Sequence, residues 1–116
     1  MARRSQRVRL LDIAAQIDAI EAVLASSAEP ILLDDWLRRS AIERGIEIIS
    51  EASRHLDPLL TAQYPDVPWR RIADTGNWLR HAYDQVDPAL ILAVITGHFP
   101  LLRRTVAEML ASIAED

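Results

Sequence analysis

Asn77, Arg80, His81 and Asp84 stand at i, i+3, i+4 and i+7, the spacing by which an α-helix gathers side chains on one face. A helix usually gives that spacing to an apolar stripe, yet here it carries an amide, a guanidinium, an imidazole and a carboxylate. Asn and Arg donate hydrogen bonds to phosphate oxygens, and Arg does so as a planar fork. His is the side chain whose unperturbed pKa, about 6.5, lets it accept and return a proton near neutrality. The chemistry on offer is therefore a held phosphate with a proton moved beside it. The plain alternative is a wet face, although such faces are more often built from Glu and Lys. Other groups point less clearly. His55 and His98 are isolated, and no His-x-x-x-His pair or mixed carboxylate cluster marks a metal site, so neither metal nor cofactor is expected. Glu43, Glu47 and Glu51 read as a solvated or Arg-paired stripe, with Glu51 placed to buttress Arg80 or His81 if its helix packs beside theirs. Arg70 and Arg71 either extend a phosphate track or pair with Asp66 or Asp74.

The elements that must position these residues read as helices throughout. Leu10, Ile13, Ala14, Ile17, Ile20, Val23 and Leu24 keep a 3.6-residue period and predict a first helix from about Ser5 to Ala25, with a turn over Ser26 to Pro30. A second helix is expected from Leu33 or Asp34 for about 25 residues, burying Leu37, Ile42, Ile46, Ile49, Leu56 and Leu60. Gly45 inside it signals close packing, because glycine there costs helix stability. Asp66 and Pro68 announce a third helix from about Pro68 to Gln85, since a carboxylate caps free N–H groups and proline lacks one. Its apolar face is Ile72, Leu79, Ala82 and Val86, apart from the polar stripe. Trp69 and Trp78 lie off that core stripe and suit packing or an interface better than base stacking. Asp87-Pro88 starts a fourth helix, and Gly97 with Pro100 breaks it before a last segment from about Pro100 to Ala114. The fold class is all-α, an antiparallel four- to five-helix bundle, expected as one domain over residues 1–116.

Composition narrows the function. A chain of 116 residues with net charge −4 is large enough to bury a core and too acidic to coat nucleic acid indiscriminately. All 13 positive residues are Arg. The basic N-terminus is interrupted by Asp12, Asp18 and Glu21, unlike a signal peptide, and the longest apolar run, Ala89 to Ile95, is far shorter than the roughly 20 residues of a membrane span. Without cysteine the chain suits a reducing compartment, and the cytoplasm is the expected location.

The stretch PWRRIADTGNWLRHAYDQVD, residues 68–87, resembles the signature of HepT-like HEPN proteins, roughly Pro-Trp-x-x-Ile-Ala-x-x-Arg-Asn, three residues, His-x-Tyr, then Val-Asp. AIERGIEIISEA, residues 41–52, resembles that family's second helix, and Phe99-Pro100-Leu101 its kink. The resemblance implies a HEPN-like bundle and a homodimer with two signatures facing across a cleft. It further implies a metal-independent RNase used as a toxin and neutralised by a nucleotidyltransferase antitoxin of the MNT type. It assigns His81 to acid–base work, Asn77 to orienting the phosphate, and Tyr83 to modification by the partner. One departure stands in the signature: Gly76 occupies the position of the family Arg, and Arg80, one turn from Asn77 and Asp84, is the nearest substitute. The alternative reading is a non-catalytic helical partner of a nucleotidyltransferase, using the same face to bind nucleotide or protein.

Overall fold

The structure, a computed structural model, describes residues 5–26, 35–82, 93 and 96–113, with the backbone alone for 78–82. Its helices are α1 (Gln6–Ala25), α2 (Trp36–Arg54), a single turn α3 (Pro58–Thr61), α4 (Trp69–Ala82) and α5 (Phe99–Ser112). Among the described residues there is no strand. The expected all-α bundle is what the chain forms.

The starts of α1, α2 and α3 each have a side-chain cap. The Ser5 hydroxyl accepts from the N–H of Val8 at 3.0 Å, and the Asp35 carboxylate accepts from Leu37 and Arg38, so both occupy otherwise unpaired donors of a first turn. The second helix differs from expectation at both ends. It begins after Asp35, and it stops at Arg54 instead of running on to Leu60. Asp57 accepts from the N–H of Leu59 with Pro58 in the first turn, which is the same carboxylate-proline start expected elsewhere. Gln6 locks this break from α1: its amide donates to the His55 carbonyl and accepts from the Asp57 N–H at 2.7 Å.

Leu10, Ile13, Ile17 and Ile20 of α1 are buried against Ile42, Ile46 and Ile49 of α2 and Leu102, Val106 and Met109 of α5, as one apolar core. Ala14, Val23 and Leu24 pack at its margin. Leu37 does not join it and is 71% exposed. Five residues of helix separate it from Ile42, a rotation of about 140° past a whole turn, so it leaves the buried stripe. Gly45 does mark close packing: a Cβ there would stand 2.8 Å from Ile20 Cδ1. Arg103 of α5 reaches both Asp18 and Glu21 of α1 and ties the outer edge.

The third expected helix is seen as far as Ala82, and the Gly97–His98 turn separates residue 96 from α5 where the break was expected. Val86, the Asp87-Pro88 start and most of the fourth helix lie outside the described residues, as does Ala114. No described helix is long and apolar enough to cross a membrane.

Candidate active site

Helix α4 runs antiparallel to α2. Glu47 lies opposite Gly76, Ser50 opposite Ile72 and Gly76, and Arg54 opposite Ala73, so numbers rise on one helix as they fall on the other. Small residues make this approach possible. Gly76 is buried, and a Cβ added to it would meet Ser50 Cβ and Oγ at 3.2 Å and Glu47 Cα at 3.6 Å. The buried Ser50 hydroxyl accepts from the Gly76 N–H at 2.8 Å and donates to the Ile72 carbonyl at 2.9 Å. Those are the two groups that an α-helix pairs with each other across one turn. One hydroxyl of α2 thereby fixes the axial and rotational position of α4 at the residue before Asn77.

Asn77 is exposed and lines a groove of about 250 Å³ together with Gly76 of α4 and Arg44, Glu47, Ser50, Glu51 and Arg54 of α2. A neighbouring depression continues over Arg9, Asp12, Arg44 and Glu51. Within α4, Arg80 and His81 follow Asn77 at i+3 and i+4, so the backbone places all three along one helical face. The side chains of Arg80 and His81 lie outside the described residues, and so do Tyr83 and Asp84.

Glu51 shares the groove with Asn77 and is engaged within its own helix. One carboxylate oxygen stands 2.8 Å from Arg54 Nη1 and the other 2.8 Å from His55 Nε2. The hydrogen bond from His55 is the largest influence on this carboxyl. With the charges of His55 and Arg54 it outweighs partial loss of hydration and lowers the pKa below the usual carboxylate value. Glu43 departs from a simple solvated stripe, since one of its carboxylate oxygens is buried without a partner among the described residues. Trp69 packs at the margin of the core and donates its indole N–H to the Tyr64 carbonyl at 3.0 Å, which makes it a structural tryptophan. Sequence reasoning missed Ser50 and Arg54 as groove residues. The small residues facing each other, Ser50 and Gly76, were the only signal available, and their pairing shows only once α2 and α4 are packed. Among the described residues, no group of three or more His, Cys, Asp or Glu is placed to hold a metal ion.

An all-α bundle in which Asn77 of α4 borders a polar groove on α2 is consistent with the HEPN class. The family model described as "Ribonuclease HepT-like" matches residues 13–109, and the chain belongs to that family. It is 32% identical over 101 residues to the "Probable ribonuclease HepT" of Thermococcus cleftensis, covering 87% of this chain and 92% of that one. It is also 26% identical over 106 residues to "Putative RNase MJ1380" of Methanocaldococcus jannaschii, covering 91% and 97%. A third relative, "Putative RNase TTE0752" of Caldanaerobacter subterraneus, is 34% identical over 91 residues, covering 78% of this chain and 80% of that one. No solved structure matches.

Proposed function

We propose that the chain is a ribonuclease toxin that acts as a homodimer on RNA without a metal, and that an MNT-type nucleotidyltransferase antitoxin neutralises it in the cytoplasm. The observation that carries this reading is the family match across residues 13–109, joined to a signature helix in which Asn77 lines the groove and the positions of Arg80 and His81 follow it at i+3 and i+4. In the reaction, the ribose 2′-oxygen forms a bond to the adjacent phosphorus and the bond to the 5′-oxygen breaks. His81 either takes the 2′-hydroxyl proton or gives a proton to the leaving oxygen. Two copies across a cleft would provide one imidazole for each transfer. Arg80 and Asn77 hold the non-bridging oxygens, whose negative charge grows as the fifth bond forms. Glu51, in the same groove as Asn77, and Asp84, four residues beyond Arg80 in the sequence, are the supporting carboxylates.

The dimer is the first test. Sedimentation at micromolar concentration is expected to show a two-chain species, and substitution of Trp78 with Ala in the signature helix is expected to weaken it. A strict monomer would remove the composite cleft. The second test concerns Tyr83, two residues beyond His81 and close to the Asp87-Pro88 boundary. An added AMP would bring negative charge and bulk beside Arg80 and His81 and exclude RNA phosphates. Co-expression with the cognate nucleotidyltransferase is expected to add one or more AMP units, seen as intact-mass steps that Tyr83→Phe abolishes together with neutralisation. Adducts that persist in the Phe variant would place the modification elsewhere.

A second reading has its own support. Gly76 replaces the signature Arg and is packed against Ser50, which leaves no cation at that position. A non-catalytic partner of a nucleotidyltransferase would carry the same face. RNA cleavage by the purified chain in EDTA decides between the two.

A further inference from the structure

The signature cation is absent at position 76, while α2 brings a cation to the same groove. Arg54 Nη2 donates to the Ala73 carbonyl of α4 at 2.5 Å. In an α-helix that carbonyl belongs opposite the N–H of Asn77. The guanidinium therefore sits beside the Asn77 backbone, having crossed from the neighbouring helix, and both residues line the same groove. Its Nη1 is held by Glu51, so two contacts fix the head group while the side chain remains 44% exposed. A guanidinium carries five N–H donors, and these contacts leave donors turned to solvent. Glu47 and Glu51 share the groove with this cation, and both Glu51 oxygens are already engaged, one by Arg54 and the other by His55. Arg44 lines the groove's other end, ten residues earlier on α2, about 15 Å along the helix axis. Cations at both ends of a channel that passes Asn77 suit an extended chain of phosphates better than one small anion.

We propose that the α2–α4 groove is a phosphate subsite for the RNA strand, in which Arg54 grips a backbone phosphodiester beside Asn77. The proposal rests on the ribonuclease reading. It adds a binding residue that lies outside the signature and that no motif search of α4 would find.

The test separates the two claims. Binding of a fluorescein-labelled single-stranded RNA is measured by anisotropy across a salt series, with His81→Ala as the parent so that the strand stays intact. Cleavage by the chain with His81 present is followed in parallel in EDTA. Arg54→Gln is expected to weaken binding about tenfold at low salt and to reduce the slope of log affinity against log salt by about 0.7, the contribution of one phosphate contact on a single strand. Arg54→Lys is expected to keep the slope and lose some of the affinity, because charge survives without the fork. It also keeps the aliphatic stem, so the fork is tested even where the Gln variant fails to fold. Arg54→Gln with parental affinity and slope overturns the subsite, and cleavage by the His81 protein would then leave the ribonuclease reading standing. A reduced slope without cleavage would keep the subsite and remove the catalytic reading. An RNA that the parent does not bind at all overturns both.

Discussion

Replacing His81 with Ala is expected to reduce RNA cleavage in EDTA by at least 10²–10⁴, the range that a positioned general acid or base typically contributes. Asn77→Ala and Arg80→Ala are each expected to cost on the order of 10²–10³, as removal of one donor aimed at developing negative charge does. The losses should fall on kcat more than on KM, because these groups act on charge that appears in the transition state. Single-turnover cleavage of a labelled RNA, with melting curves to show that each variant folds, makes the measurement. A His81→Ala protein that cleaves at the unsubstituted rate would exclude His81 from the proton transfers. Uniform losses in KM alone would assign the signature face to binding and favour the non-catalytic partner of a nucleotidyltransferase.

These expectations rest on a helix that was legible from its sequence, whereas the groove beside it was not. Helix α4 could be placed because Asp66 and Pro68 give a start signal and Ile72 holds an apolar phase distinct from the polar stripe. Helix α1 was legible from its apolar period alone, and four residues of that stripe are fully buried. The end of α2 was not. Leu56 and Leu60 continue a four-residue spacing and remain buried, so the periodicity runs straight through a real break that Asp57-Pro58 creates. Apolar phase reports which face is buried and says little about whether the backbone between two buried residues stays helical. The groove depends on partners far apart in the chain, Ser50 with Gly76 and Arg54 with Ala73. Nothing local in the sequence singles out Ser50, and Gly76 read only as a missing Arg. What gives both their meaning is the contact between two helices, which no local pattern encodes.

That contact yields the sharpest expectation about the departure from the signature. Gly76→Arg, which restores the family residue, is expected to destabilise the chain by about 1–5 kcal/mol and to lower its melting temperature on the order of 10 °C, without raising cleavage. The new Cβ would start 3.2 Å from Ser50, with the Glu47 backbone just beyond, so the remaining side chain has to force the packed helices α2 and α4 apart. Overpacking of this kind costs about 1–3 kcal/mol. Displacing the Ser50 hydroxyl from Ile72 and Gly76 adds about 1–3 kcal/mol for a buried polar group left unpaired. Against these stands about 1 kcal/mol gained when glycine leaves a helix interior. Gly76→Ala brings the same gain with a contact that yields by a few tenths of an ångström, so it should lie near neutral. Ser50→Gly placed with Gly76→Arg removes the obstructing atoms and should recover some of the loss, whereas Ser50→Gly alone should destabilise. Paired thermal and urea melts of the four variants measure this coupling as a double-mutant cycle. A Gly76→Arg protein as stable as its parent and faster on RNA would show that α2 and α4 separate easily and that the groove accepts the family cation where its signature places it.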